Sequence, residues 1–285
     1  MNRTQIEWCR NPDGSPGYSW NPLTGCLNHE NGLCKGGNFP CYAYKLAHTR
    51  LKQRYLANST VADITNRLRD PNSPLWDKVA SDPFYPRFWE EKLYHPWSGK
   101  PRGILVCDMS DLFGIGIPEE WTKTVLDLAR LHTENRYYLL TKQPQNLPRW
   151  SPFPENCWVG VTATNGEMFQ RAGIYLEQIE AKVKFLSLEP LLEPMLLYFG
   201  KPTIDWLILG ACAGSASGIG KVQRKYPELS HKPYKNQWTA QHPIAWLQKI
   251  VAAADKAGIR VFEKDNLRPL LGDNLRQEMP DGGQQ

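Results

Sequence analysis

Six short apolar runs, all of them after residue 100, constrain the fold more than any other feature of this sequence. The apolar residues in each run are nearly continuous and do not alternate with polar ones, which is typical of parallel strands covered on both faces. Amphipathic segments with a helical period separate several of the runs, for example residues 118–132 and 243–257. The predicted strands are residues 103–108, 136–141, 157–162, 183–188, 205–210 and 259–264.

Two weaker runs earlier in the chain extend this pattern. They cover residues 18–22 and a short part of residues 84–88, and they raise the number of predicted parallel strands from six to as many as eight. Alternation of strands and helices implies right-handed crossovers. We therefore predict an α/β fold, namely a complete or partial TIM-type (β/α) barrel of six to eight parallel strands, with a doubly wound open sheet as the alternative.

The chain, residues 1–285, is predicted to form a single barrel domain. Three segments interrupt the alternation: an insertion at residues 57–83, a long basic loop at 211–236, and a tail at 273–285. No run approaches the roughly 20 apolar residues that span a bilayer, and the first residues lack the apolar segment of a secretory signal. We therefore expect a cytoplasmic protein that does not contact a membrane.

Polar side chains cluster at the ends of five predicted strands. In parallel α/β folds the carboxyl ends of the strands form the active-site face, so these clusters predict where a site lies. The clusters are Asp108, Ser110 and Asp111; Thr141, Lys142 and Gln143; Thr162, Thr164 and Asn165; Ser187 and Glu189; and Glu263, Lys264 and Asp265.

Three cysteines between the first predicted strand and the first predicted helix carry the most specific chemical signal. Cys26, Cys34 and Cys41 are separated by seven and six residues in a stretch rich in glycine, and residues 42–56 after them have a helical pattern. The chain has only seven cysteines, too few for a disulfide scaffold, so a local group of three indicates metal binding. The other four, Cys9, Cys107, Cys157 and Cys212, flank or lie within apolar runs and are predicted core residues.

Two metal centres fit this group of thiols. A [4Fe–4S] cluster held by three cysteines leaves one iron open for another ligand. A structural zinc ion normally takes four protein ligands, and His29 would complete a site with Cys26, Cys34 and Cys41. The zinc alternative predicts a nucleic-acid-binding protein without catalysis.

The sequence resembles a phage- and mobile-element-associated, three-cysteine branch of the radical S-adenosylmethionine (SAM) superfamily that is distantly similar to spore photoproduct lyase. Members carry a Trp-Asn-Pro-x-x-Gly-Cys segment, a later Cys, and a Cys-Tyr-Ala at the start of the first helix. The matching residues are Trp20 to Cys26, Cys34, Cys41 to Ala43, Met109 to Phe113, Leu140 to Lys142, Val159 to Thr162, Ser187 to Pro190 and Val261 to Lys264. The branch usually has two residues between its second and third cysteines, whereas this chain has six.

The resemblance implies a barrel with a [4Fe–4S] cluster at its mouth, where reductive cleavage of SAM yields a 5′-deoxyadenosyl radical that acts on a substrate. An electron donor such as flavodoxin or ferredoxin is then expected as a partner. The residues expected to bind SAM are Ser110, Thr162, Thr164 and Ser187, and the expected catalytic residues are Asp108, Asp111 and Glu189. Each acid also has a structural alternative, which is a salt bridge with Lys142 or Lys264 for Glu189 and a turn cap for Asp111.

Residues 211–236 indicate what the substrate is. Basic side chains crowd this segment and aromatic ones lie among or just after them, a composition found in nucleic-acid-binding surfaces. We therefore expect a nucleotide, nucleobase or nucleic acid as substrate, with a solvated loop as the alternative. A metal-free hydrolase using Asp108 or Asp111 with Glu189 is a third hypothesis. The basic residues are Lys221, Arg224, Lys225, His231, Lys232 and Lys235, and the aromatic ones are Tyr226, Tyr234 and Trp238.

Overall fold

A computed structural model describes residues 1–63, 79–95, 99–195 and 203–280 of the chain. Its strands, in chain order, are β1 (Asn2–Arg3), β2 (Tyr18–Trp20), β3 (Leu23–Thr24), β4 (His29–Glu30), β5 (Leu33–Cys34), β6 (Phe39–Pro40), β7 (Arg87–Phe88), β8 (Gly103–Val106), β9 (Arg136–Thr141), β10 (Cys157–Thr162), β11 (Val183–Leu188), β12 (Trp206–Leu209), β13 (Cys212–Gly214), β14 (Ser230–Tyr234), β15 (Gln237–Gln241) and β16 (Arg260–Glu263).

The α-helices are α1 (Tyr42–His48), α2 (Lys52–Leu56), α3 (Glu119–Leu131), α4 (Gly166–Glu177), α5 (Ala216–Lys225), α6 (Ile244–Ala257) and α7 (Arg268–Leu271). Short 3₁₀ turns lie at Glu90–Lys92, Pro144–Asn146, Pro148–Trp150 and Asp265–Leu267. Within the residues that the structure describes, no helix is both long and apolar enough to cross a membrane.

An eight-stranded sheet in the order β1-β2-β8-β9-β10-β11-β12-β16 forms the centre of the molecule. β1 is antiparallel to β2, and the other neighbours are parallel and follow chain order. Every crossover therefore moves in the same direction, and right-handed crossovers of that kind place the connecting helices on one face. This singly wound order confirms the TIM-type prediction and rules out the doubly wound alternative.

The barrel is partial, because the described residues contain no pairing between β16 and the β1–β2 edge. Chain termini cover the gap instead. Arg10 donates a hydrogen bond to Gln277 and its guanidinium lies 5.5 Å from the centre of the Phe262 ring. Glu7 lies 3.6 Å from the Lys264 ammonium. The N-terminal segment and the tail therefore occupy the position where a closed barrel would have further strands.

The outer face of the sheet packs against α3, α4 and α6, as the amphipathic patterns predict. Each helix has a local signal at its end: Glu119 and Glu120 lie in the first turn of α3, the Asn165 side chain caps α4 by accepting a hydrogen bond from the Met168 amide, and Gly258 ends α6 with φ of 70°. Apolar side chains of these helices that are fully buried in this layer include Val125, Leu126, Ala129, Ala172, Leu176, Leu247, Ile250 and Ala254.

The inner face is filled by large aromatic side chains. Trp158, Phe185 and Trp206 project inward from β10, β11 and β12, and Trp8 from the N-terminal segment packs among them. Trp158 and Trp206 meet edge to face with their ring centres 5.9 Å apart, and Trp8 meets Trp206 at 6.1 Å. The barrel interior is therefore a packed core up to the level of the mouth.

Four sequence predictions need correction. The strand at β7 exists, but it pairs antiparallel with β3 and does not belong to the main sheet. The helix predicted at residues 42–56 is two helices, α1 and α2. The basic loop at 211–236 is ordered as β13, α5 and most of a β14–β15 hairpin. Part of the 273–285 tail is folded, since the Arg276 amide donates to Glu263 and Met279 is buried.

Other parts of the predicted organisation lie partly outside the described residues. The insertion at 57–83 is described only at its two ends, where the Ala62 amide donates to the carbonyl of Pro86 and Val61 forms a bridge with Arg87. Residues 64–78 of that insertion and residues 281–285 of the tail are not described. The four predicted core cysteines, Cys9, Cys107, Cys157 and Cys212, are all buried, which confirms their assignment.

Candidate functional site at the barrel mouth

The mouth of the barrel begins where the inner face changes from aromatic to polar. Thr162 and Ser187 are direct neighbours on β10 and β11, one layer above Gly160 and Phe185, which are also neighbours. Because side chains two residues apart point to the same face of a sheet, Thr162 and Ser187 lie directly above the aromatic layer. Both are almost completely buried, at 1% exposure.

The cysteine segment starts at the end of β2 and attaches at once to the neighbouring strand end. Gly25 pairs with Ser110 in an isolated parallel bridge, and the Ser110 hydroxyl donates to the carbonyl of Gly25. The position requires glycine, since its φ is 86° and an added Cβ would lie 2.4 Å from the carbonyl oxygen of Tyr85. Cys26 therefore follows a fixed backbone at the edge of the mouth.

Cys34 and Cys41 are placed by two different local structures. A small sheet in the order β4-β5-β6 carries Cys34, which pairs with His29 on one side and with Phe39 on the other. Cys41 precedes α1, and its amide donates to the carbonyl of Gly32 over 2.8 Å. The arrangement of strand, cysteine loop and helix that the sequence predicts is present.

The three thiols lie near enough to one another to interact electrostatically. The pKa of Cys26 is raised to about 12, mainly by burial and to a lesser extent by the charges of Asp111, Cys34 and Cys41. The Asn28 amide, which donates to its Sγ, opposes this increase. Burial also raises the pKa of Cys41, against amides in the first turn of α1, and Cys34 adds to the increase. Positive charge brought by a metal centre would favour the thiolate at each position.

Among the described residues, the thiols and the other candidate donors do not form a site for a single metal ion. Across the described ranges, no group of three His, Cys, Asp or Glu side chains is arranged to hold one metal ion. The zinc site expected from Cys26, His29, Cys34 and Cys41 is therefore not formed in this arrangement. A cubane cluster binds each cysteine to a different iron and separates the sulfurs more widely than one zinc ion does.

Asp108 is held by Asn21, the residue directly after β2, whose side-chain amide donates to the Asp108 carboxylate. The side-chain oxygen of Asn21 accepts a hydrogen bond from the Met109 backbone amide over 3.0 Å. Tyr42 donates its hydroxyl to the carbonyl of Asp108. Burial raises the pKa of Asp108, and Asn21 opposes this increase. Asp108 thus joins the ends of β2 and β8 to the start of α1.

Asp111 has a comparable linking position. Its carboxylate accepts from the Thr141 hydroxyl at 2.7 Å, from the Lys142 amide at 3.0 Å and from the Phe113 amide at 3.1 Å. The contact with Phe113 is the turn cap considered from the sequence. Burial raises the pKa of Asp111, while the Lys142 amide and Thr141 hydroxyl lower it. Asp111 fixes the end of β9 against the loop after β8.

Thr162 and Thr164, two residues apart, have different environments. Within the described part of the chain, the buried hydroxyl of Thr162 has no hydrogen-bond partner. A hydroxyl left unsatisfied at the mouth is a candidate for contact with a ligand, because an unpaired buried polar group is costly. The hydroxyl of Thr164, by contrast, lies 3.1 Å from the carbonyl oxygen of Gly36 in the cysteine segment.

Glu189 forms an ion pair with Lys264, one of the two partners considered from the sequence. Lys264 is almost enclosed, with 12% of its side chain exposed, and Glu7 is a second carboxylate at 3.6 Å. These carboxylates raise the pKa of Lys264 above its usual value, although burial alone lowers it. Of the acids in the hydrolase hypothesis, Asp111 accepts hydrogen bonds from Thr141 and Lys142, and Glu189 pairs with Lys264.

The basic segment folds into a compact unit beside the cysteine segment. Ile219 and Val222 of α5 pack on Leu229 and on Ala240 of β15. Lys221, Arg224 and Lys225 are exposed and share one face of α5, since they are three and four residues apart. Lys232 and Lys235 of the hairpin are exposed as well.

Three residues that shape the barrel mouth were not predicted as site residues from the sequence. Asn21 and Lys264 lie inside motifs that were noted, so their polarity next to apolar runs was a usable signal. Tyr226 was noted only as part of a basic surface, but its hydroxyl donates to the carbonyl of Gly37 at 2.8 Å. That contact joins residues far apart in the chain, and no local pattern indicates it.

Solved structures of spore photoproduct lyase are similar to this chain at low identity. The complex with dinucleoside spore photoproduct has 10% identity and a TM-score of 0.49, covering 89% of this chain and 78% of that one. A variant with bound AdoMet and the same dinucleoside has 11% identity and a TM-score of 0.49, covering 90% and 78%. No curated protein matches the sequence.

A family profile matches most of the chain. The match spans residues 3–227 and therefore includes the three cysteines, the strand ends from β8 to β12 and helix α5. The family is described as "Protein of unknown function (DUF5131)". The chain belongs to the DUF5131 family.

Proposed function

We propose that this chain is a radical SAM enzyme in which Cys26, Cys34 and Cys41 hold a [4Fe–4S] cluster at the barrel mouth. The observation that supports this most is the position of the three cysteines, which come from three separate local structures beside the polar strand ends. Three cysteines leave one iron open, and SAM binds such an iron through its amino and carboxylate groups. When bound, the cluster would supply the electron for reductive cleavage of SAM.

The residues of the chain would bind and orient SAM above the aromatic core. Thr162 offers a buried hydroxyl without a partner among the described residues, and Ser187 lies beside it. Ser110 and Asp108 follow β8: Ser110 contacts Gly25, next to Cys26, and Asp108 contacts Tyr42 at the start of α1. We assign ribose or ammonium contacts to these groups. The packed aromatic layer beneath would exclude water from the reacting atoms.

The proposed substrate is a nucleotide, nucleobase or nucleic acid. Support comes from the exposed cations of α5 and the hairpin, together with Trp238, which is 37% exposed and packs against His231 with ring centres 4.5 Å apart. Cations bind phosphates and exposed aromatic rings stack on bases. Helix α5 has ten residues, hence a length of about 15 Å, and it ends beside the cysteine segment. Phosphates bound there would lie within reach of the mouth.

Metal analysis after anaerobic reconstitution with iron and sulfide tests the proposed cofactor. We expect about four irons per chain and a brown protein that bleaches with dithionite. Cys41→Ser should lose the cluster, whereas Cys157→Ser, which changes a buried cysteine of β10, should keep it. A colourless wild-type protein with tightly held zinc would contradict the proposal.

A further inference from the structure

The segment between the second and third cysteines, residues 35–40, lies against the barrel mouth and is here termed the bridging segment. The hydroxyl of Thr164, just after β10, lies 3.1 Å from the carbonyl oxygen of Gly36. The hydroxyl of Tyr226, just after α5, donates to the carbonyl of Gly37 over 2.8 Å. Two elements distant in sequence thus hold two adjacent peptide groups of the bridging segment.

Close packing accompanies these two hydrogen bonds. A Cβ atom added at Gly37 would lie 2.2 Å from the Thr164 hydroxyl oxygen, and one at Gly36 would lie 3.0 Å from Cδ of Lys142. Gly37 also has a φ of 114°, a conformation that other residues rarely adopt. Phe39 packs against the apolar cluster beneath α5. The bridging segment is therefore fitted to the strand ends on one side and to α5 on the other.

Backbone contacts connect this fit to the flanking cysteines. The Asn38 amide donates to the carbonyl of Cys34 over 2.7 Å, which closes a turn directly after that residue. The hypothetical Cβ of Gly36 lies 3.6 Å from the Sγ of Cys34. A displacement of Gly36 or Gly37 would therefore move Cys34 relative to Cys41.

We propose that Thr164 and Tyr226 are positioning residues, which hold the bridging segment so that Cys34 and Cys41 stay in the arrangement a cluster requires. This role rests on the proposed function, although the two hydrogen bonds do not. Neither residue needs to touch the cluster or SAM for this role. Helix α5 then has a second role, because the residue that ends this cationic helix supplies the hydroxyl that anchors the cysteine segment.

Native-state proteolysis tests the anchoring without any metal. Lys35 is exposed and gives trypsin a cleavage site at the start of the bridging segment. Tyr226→Phe and Thr164→Val each remove one hydroxyl, and each should raise the rate of cleavage after Lys35 about fivefold, as expected for one lost hydrogen bond. Tyr175→Phe is the matched control, since Tyr175 lies on α4 two turns beyond Met168, and its cleavage rate should equal that of the wild type.

Iron retention tests the consequence for the cluster. Reconstituted Tyr226→Phe and Thr164→Val proteins should bind the wild-type amount of iron but release it to a chelator several-fold faster, with an unchanged thermal midpoint for the barrel. Unchanged cleavage and iron release in both variants would overturn the positioning role, and so would faster cleavage with normal iron release. A wild-type protein that binds no iron would instead refute the proposed function, and the role toward a cluster with it.

Discussion

Lys264 and Glu189 form an ion pair across the barrel mouth, although β12 lies between the strands that carry them. The pair can cross β12 because Gly210, at the end of that strand, has no side chain. A Cβ atom there would lie 3.0 Å from Cγ of Glu189 and 3.2 Å from Cδ of Lys264. Glu7 completes the group from the N-terminal segment. One ammonium therefore links three separate parts of the partial barrel.

Removing the charge of Glu189 should destabilise the fold as well as affect any chemistry. Among the described residues, Glu189→Gln leaves the enclosed Lys264 ammonium with the more distant Glu7 as its one carboxylate partner. We expect the free energy of unfolding to fall by about 2 kcal/mol. Urea unfolding measures this, with Glu177→Gln on the exposed surface of α4 as the control. The double variant Glu189→Gln/Lys264→Met should recover part of the loss. An unchanged unfolding midpoint in Glu189→Gln would show that the pair does not stabilise the mouth.

Arg87 should be one of the most sensitive positions for stability. It is 1% exposed, and its guanidinium donates to backbone carbonyls at both ends of the 57–83 insertion and just after it, those of Asn58, Val79, Ala80, Asp82 and Tyr85. Arg87→Met leaves these carbonyl oxygens without their donor, and we expect the free energy of unfolding to fall by about 3 kcal/mol or more. Arg260→Met, an exposed arginine on β16, should change the urea midpoint little. Equal effects of the two substitutions would contradict this account of Arg87.

His242 should make the fold less stable in mild acid. Burial lowers its pKa from 6.5 to about 4, and its Nε2 has no hydrogen-bond partner among the described residues. Between pH 6.5 and pH 4 the unfolded chain binds a proton at His242 that the folded chain does not bind. The free energy of unfolding is therefore undiminished by His242 above pH 6.5 and decreases as the pH falls below that value. The full loss is about 3 kcal/mol.

The pH dependence of His242→Phe isolates this contribution. Burial also lowers the pKa of His29 and His95, so the wild-type curve contains other groups, and the difference between the two proteins is the informative quantity. The unfolding free energy of the variant should fall less steeply between pH 6.5 and pH 4 than that of the wild type. Parallel curves would mean that His242 titrates normally in the folded protein.

Nucleic-acid binding, if it uses α5, should depend on salt. Each phosphate contact contributes roughly −0.7 to −0.9 to the slope of log K against log salt concentration. Lys221→Gln/Lys225→Gln should therefore weaken binding of a labelled oligonucleotide and reduce the slope by about 1.5. Lys249→Gln/Lys256→Gln removes two exposed charges from α6 and serves as the control. An equal loss of oligonucleotide affinity in both variants would indicate a general effect of net charge. Wild-type binding that does not change with salt would exclude the cations of α5 as a phosphate-binding surface.

The main sheet could be predicted from the sequence because apolar continuity is a local signal. β9, β10 and β11 have the predicted bounds. The β14–β15 hairpin was missed for two physical reasons. Pro233 lies within β14 and argues against a strand, yet β14 is the edge of its sheet, where proline is tolerated. The turn has Lys235 at φ of 50° in place of the usual asparagine or glycine.

The candidate site was predictable in part. Strand-end polarity located the mouth, and the spacing of cysteines marked the segment that lies beside it. The sequence did not indicate that Thr164 and Tyr226 contact the bridging segment, because those contacts depend on the relative placement of β10, α5 and residues 35–40. The sequence offered both Lys142 and Lys264 as partners of Glu189, and the pairing with Lys264 depends on the missing side chain of Gly210. Contacts between elements far apart in the chain leave no periodic pattern in the sequence from which they could be predicted.

Formation of 5′-deoxyadenosine from SAM is the most direct test of the central claim. The reconstituted protein, supplied with dithionite or with reduced flavodoxin or ferredoxin, should release 5′-deoxyadenosine and methionine, detected by mass spectrometry. Cys26→Ser, Cys34→Ser and Cys41→Ser should each abolish the product, while Cys157→Ser should retain it. Product formation that depends on these three cysteines alone is the predicted result. A protein that holds a reducible four-iron cluster and SAM but yields no 5′-deoxyadenosine, with or without an oligonucleotide, would contradict the account.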